Sequence, residues 1–179
     1  MAYIFTERRA GLPPMTDHAA PATVEVVGAT TITNTLVPLG TIVTAVDPTY
    51  GAGEFIRLVG VGSTVVGSLV TYDATTFQTA LTTHVPAQAR AVAVAMSACV
   101  ATEHGWYQIA GLAVIKKTAV LIGAQVTLAL GVTAGRVKGT STSGLQIGAC
   151  RSANLATISA TVSVITANIN RPSLQTMVT

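Results

Sequence analysis

The residues of this chain that could do acid–base or metal chemistry are few and scattered. His18 lies beside Asp17, His84 precedes Val85-Pro86, and His104 directly follows Glu103. Glu103-His104 is the best local acid–base pair, and general acid–base catalysis needs both groups within reach of one reacting atom. Neighbours along a strand point to opposite faces, and a turn would leave both in water. The adjacency therefore argues against a catalytic pair. No serine stands in G-x-S-x-G. Gly60-Val61-Gly62 lacks the later glycine and the following helix of a strand–turn–helix phosphate site. Asp47 and Asp73 are followed by Pro48-Thr49 and by Thr75-Thr76, a setting in which the carboxylate starts a turn by accepting backbone N–H groups. They offer too few oxygens for calcium. Cys99 and Cys150 each follow an alanine in an apolar, strand-like run and read as buried thiols. Neither has the C-x-x-C or nearby histidine of a zinc site. Sequence alone does not place them at the close approach that a disulfide requires. No cofactor, no metal and no enzymatic activity are expected.

The elements that would position these residues are strands. From Thr23 onward Val, Thr and Ile dominate, with Gly, Asn, Asp and Pro between the runs. Strands are expected over 24–27, 41–46, 54–61, 69–72, 77–80, 91–97, 106–115, 125–130, 136–138, 145–150 and 158–169. Val92, Val94 and Met96 share one face of their strand, as the two-residue period demands. Many short strands without helices between them predict an all-β antiparallel barrel or sandwich. The chain also repeats itself. Gly67, Val70 and Thr71 recur as Gly123, Val126 and Thr127; Ala98-Cys99 recurs as Ala149-Cys150, and Val114-Ile115 as Val164-Ile165. The repeat, about 55–115 and 107–165, predicts two related halves in which 106–115 closes one unit and opens the next. The predicted domain spans 23–170. Residues 1–22, punctuated by Pro13-Pro14 and Pro21, read as an extended N-terminal arm whose tip, Tyr3, Ile4 and Phe5, would anchor it; residues 171–179 read as a C-terminal tail. Of the aromatic pair Trp106-Tyr107, one ring should face inward as core and the other outward, either as an interface anchor or as further core.

Composition narrows the partners. Charged residues make up 9% of the chain and hydrophobic ones 50%, against about 25% charged in an average soluble domain. Charge keeps surfaces apart, so much of this surface should be covered by other chains. All seven acids lie between Glu7 and Glu103, while the stretch from His104 onward holds six bases and no acid. Such a basic half suits nucleic acid or an acidic partner protein. The bases stand singly except for Lys116-Lys117, with no aromatic stacking residues interleaved, which argues against nucleic acid. Candidate contact residues are Tyr3, Ile4, Phe5, Arg8, Arg9, Trp106, Tyr107, Lys116 and Lys117. The best apolar run, 91–101, is shorter than the about 18 residues of a membrane span and contains Ser97. The start, M-A-Y-I-F-T-E-R-R, lacks a signal-peptide core, so use in a cytoplasm is expected.

The run A-V-A-V-A-M-S-A, then G-W-Y-Q-I-A-G-L-A-V, G-A-Q-V-T-L, G-R-V, Q-I-G-A-C and V-S-V-I-T-A-N-I-N-R-P, resembles capsid decoration, or cement, proteins of tailed bacteriophages. The resemblance covers 54–172, and G-W-Y-Q-I-A-G is its most distinctive piece. It implies a small β-rich virion protein without enzymatic activity that binds the outside of the expanded head, often as a homotrimer, and bridges capsomers. The implied partners are the major capsid protein and further copies of the chain; the arm, which lies outside the resemblance, is long enough when extended to reach neighbouring decoration subunits. No functional residue carries over position by position. A fibre or adhesin binding a host surface is the alternative.

Overall fold

Alternating β-branched residues commit the chain to strands. The computed structural model, which describes residues 3–6, 12–20, 23–27, 30–33, 37–86, 88–139 and 143–175, contains no helix among them. Its strands are β1 (Ile4–Phe5), β2 (His18–Ala19), β3 (Thr23–Val27), β4 (Thr30–Thr33), β5 (Ile42–Asp47), β6 (Gly51–Val59), β7 (Leu69–Tyr72), β8 (Thr79–Leu81), β9 (Ala91–Ala95), β10 (His104–Lys116), β11 (Thr127–Leu130), β12 (Val137–Lys138), β13 (Gln146–Ser152) and β14 (Val164–Leu174). Twelve of them join one antiparallel sheet along the path β1-β5-β6-β10-β9-β14-β13-β11-β12, with β2 on β10 and β7 between β8 and β9. β3 and β4 form a separate hairpin. The path has two free ends, so the sheet is not a closed barrel. It folds over itself because β9, β10 and β14 each pair with the other two.

The duplication is visible in the pairing. In the first unit β6 pairs β10, β7 pairs β8, β7 pairs β9 and β9 pairs β10. In the second β10 pairs β14, β11 pairs β12, β11 pairs β13 and β13 pairs β14. Parallel bridges repeat too: Val59 meets Gln78 in one unit, and Lys117 meets Val137 in the other. β10 is therefore the last strand of one unit and the first of the next. Two of the sequence matches are not equivalent in space. Ile115 and Ile165 face each other across the β10–β14 ladder. Cys99 follows β9, whereas Cys150 lies inside β13.

β10 serves both units by changing partner midway. Up to Ala110 it runs with β6, and from Ala110 with β14. Gly111 stands at the change with φ +99°, and a Cβ there would lie 2.4 Å from the Ala52 carbonyl oxygen, so only glycine fits the bend. Three apolar clusters meet along this strand. Trp106 packs with Phe55, Val43 and Met96; Tyr107 and Ile109 pack with Leu58, Val70 and Cys99; Ala113 and Ile115 join the largest cluster with Leu128, Ile147 and Ile169.

Strands β1, β2 and β4 were not expected, most other bounds shift by one to three residues, and the last strand departs furthest. The last strand begins at Val164 rather than 158, because residues 159–162 form a turn closed by a Val162 N–H to Ser159 carbonyl bond of 3.3 Å. It continues to Leu174, so the start of the expected tail belongs to the sheet. Pro172 is accommodated because the β13–β14 register shifts between Gly148 and Cys150, where Ala149 and Arg171 both have positive φ. Such a bulge frees Pro172 from the ladder bond that it cannot make.

Candidate functional site

The arm tip lies on its own sheet. β1 pairs with β5, Ile4 opposite Val46 and Phe5 opposite Ala45. Strand alternation then turns Tyr3 and Phe5 inward and leaves Ile4 70% exposed. The Tyr3 ring meets Phe55 edge-on at 4.8 Å, and Phe5 meets Trp106 at 5.6 Å. The Tyr3 hydroxyl donates to the Leu112 carbonyl at 2.9 Å and accepts from Gln108 Nε2 at 3.3 Å. Burial raises the Tyr3 pKa. Leu12 and Met15 cover the same cluster, and Trp106 Nε1 donates to the Pro13 carbonyl at 3.2 Å. The described part of the arm is thus a strap across the chain's own sheet, where sequence reasoning had sent its tip to a neighbour. The apolar tip is the signal for both readings; only the cluster that it meets separates them. Arg8 and Arg9 lie outside the described residues.

Charged groups hold the strap's far end. β2 pairs with the start of β10, His18 opposite Gly105 and Ala19 opposite His104. His18 Nδ1 lies 3.1 Å from Glu103 Oε2, and Arg57 Nη2 lies 3.8 Å from Asp17 Oδ2. Arg57 also sits over the Trp106 ring at 5.5 Å, a favourable placement for a cation on an aromatic face. Glu103 accepts the Val100 N–H at 2.9 Å, and that bond, with a smaller contribution from His18, holds its carboxyl below the ordinary value. His104 turns into the sheet with Nδ1 buried and without a hydrogen-bond partner; burial, and then nearby Arg57, lowers its pKa. Glu103 therefore fastens the strap through His18, and His104 Nδ1 takes no part in its bonds. Sequence reasoning did not find the Glu103–His18 and Arg57–Asp17 contacts, since the former pair is 85 residues apart.

Trp106 and Tyr107 point to opposite faces, as expected, but both are fully buried. The outward face of the first unit is covered by the strap, so neither ring reaches the surface. Burial also drives the Tyr107 hydroxyl pKa far up. Lys117 is 1% exposed, and its ammonium donates to the carbonyls of Thr118 (3.0 Å), Ser159 (3.1 Å) and Val162 (2.9 Å). It was expected at a partner surface, and its three carbonyl acceptors explain its burial. Lys116 remains half-exposed.

The remaining candidates serve the fold. Asp47 accepts the N–H groups of Thr49 and Tyr50 at 2.8 and 3.1 Å, and Asp73 those of Thr75 and Thr76, both at 2.8 Å. These are the turns that the sequence predicts. Cys99 and Cys150 are free, buried and in different clusters; burial pushes the Cys150 thiol up to about 12, which keeps it protonated and unreactive. A cleft of about 230 Å³ between β11, β13 and β14 is lined by Thr127, Gln146, Gly148, Arg151 and Ser173, beside Cys150. Among the described residues no three His, Cys, Asp or Glu side chains gather to hold a metal. No helix there is long and apolar enough to cross a membrane.

Comparison with protein-family models, curated proteins and solved structures found no match.

Proposed function

We propose that this chain is a structural virion protein that decorates the outside of a tailed-phage head and cements contacts between capsomers. The observation that carries the reading is the surface. Thirteen large apolar side chains stand exposed among the described residues, from Leu155 at 87% to Val120 and Val164 at 37%, on a chain with 9% charged residues. Permanent lattice interfaces are large and more apolar than transient ones, so a surface of this kind fits a component that is covered once assembled. The resemblance of 54–172 to cement proteins agrees. In this reading the partners are the major capsid protein and two further copies of the chain in a homotrimer, closed symmetry being the rule for such oligomers. Ile4, which β1 turns outward and leaves exposed, is in this reading the arm residue that would meet a neighbour.

The test is to mix the purified protein with expanded, undecorated heads and to measure occupancy on the sedimented particles. Saturable, stoichiometric binding supports cement. Bare heads, together with binding of the protein to host cells or glycans, would overturn it in favour of an adhesin.

A further inference from the structure

Three segments converge beside Lys116. The Lys116 N–H donates to the Gly67 carbonyl at 2.8 Å, which seats the loop carrying Val66 against the end of β10. Lys116 faces Val164 across the β10–β14 ladder, and the Lys117 N–H donates to the Ser163 carbonyl at 2.9 Å. Ile122 and Ile158 exchange backbone bonds of 3.1 and 2.8 Å, tying the loop with Val120 and Leu121 to the loop before β14. Val66, Val120, Leu121, Val162 and Val164 are all exposed, Leu121 at 66%. Scattered exposed apolar residues are ordinary; a group of them brought together by the fold marks an interaction surface.

The charge of this surface has one sign. Lys117 lies beneath it, bound by neutral carbonyls that satisfy its hydrogens without cancelling its charge. Arg136 Nη1 donates to the Lys117 carbonyl at 3.2 Å, bringing a third cation. Among the described residues the ion pairs are His18–Glu103, Arg57–Asp17 and Arg171–Glu54, and none involves these three groups. Segments 61–68, 116–122 and 158–164 contain no acid. A partner therefore meets valines, a leucine and an uncompensated positive field.

We propose that this surface docks an acidic protein surface, one with an apolar centre that covers Leu121 and its valine neighbours and with carboxylates that meet Lys116 and Arg136. The same patch of a second copy would set three cations against three, and like charges facing each other across an interface cost several kcal/mol. A nucleic acid would find no aromatic ring here on which to stack its bases. The proposal rests on the head-decoration reading, in which the acidic surface belongs to the shell.

Sedimentation with expanded, undecorated heads of the phage that carries the gene tests it, using wild type, Lys116→Glu, Leu121→Ser and, as a control on another exposed apolar site, Ile42→Ser. Wild type and the control should bind alike. Lys116→Glu and Leu121→Ser should each bind at least about tenfold more weakly, added salt should weaken wild-type binding, and all four should melt at the same temperature. Equal binding by all four overturns the docking surface and leaves the decoration reading standing. Heads left bare by wild type overturn both. Loss of self-association in the two patch variants, with head binding kept, assigns the surface to a second copy and overturns the proposal.

Discussion

His104 and Lys117 show how much one buried polar group sets. The lowered pKa of His104 means that the unfolded chain, with an imidazole near its ordinary value of about 6.5, takes up a proton more readily than the folded one. The associated stability is complete above about pH 6.5 and is lost as pH falls through the folded value. Glu103 is depressed from its ordinary 4.5, so its contribution disappears only in a lower window, as pH falls below that value. Urea unfolding at pH 7 and pH 5.5 should show a loss of stability that His104→Gln largely removes; an equal loss in the variant would rule His104 out as the cause. Lys117 makes the complementary case. Lys117→Met removes three hydrogen bonds from a charged donor, although the Thr118 and Ser159 carbonyls keep the N–H groups of Val120 and Val162, and it should destabilise the fold by about 2 kcal/mol, measurable as a lower unfolding midpoint. At this scale the turn-forming roles of Asp47 and Asp73 were legible, because the N–H groups that they accept lie two or three residues away. The burial of Lys117 was not, since two of its acceptors lie 42 and 45 residues on.

Strands were the most legible elements. β7 was placed at its observed bounds, and β9 through the alternation of its valines. A strand shared by two units was expected from the repeat, and β10 pairs with β6 over its first part and with β14 over its second. The final strand was drawn too early because Thr161, Val162 and Ser163 alternate like a strand, while the Lys117 ammonium draws the carbonyls of Ser159 and Val162 into a turn. The strap was legible as a Pro-rich, apolar-tipped segment, but not its destination: burying Tyr3 and Phe5 against Phe55 and Trp106 requires the tertiary fold to exist. Trp106 is the sole tryptophan of the chain, which makes the strap measurable. Deleting residues 1–20 should uncover Trp106, shift its emission to the red and lower the melting temperature. Unchanged emission would mean that something other than the strap covers the ring.

The whole molecule combines a sealed interior with a surface short of charge. The duplicated unit supplies the scaffold, the strap closes one face of it, and exposed valines and Leu121 stand near Lys116, where the proposed partner would cover them. A free protein with this surface depends on its Ser and Thr residues for solubility; an assembled one has the surface covered. Cement function makes a mechanical claim that binding alone does not: burying apolar area between capsomers must make the shell harder to open. The most direct measurement is therefore the temperature at which DNA-filled, undecorated heads release their DNA, read with an intercalating dye, as the protein is added. The account predicts that the release temperature rises and saturates when the lattice sites are filled, and that Leu121→Ser needs a higher concentration to reach the same plateau. A release temperature that stays constant while the wild-type protein fully occupies the heads would contradict it.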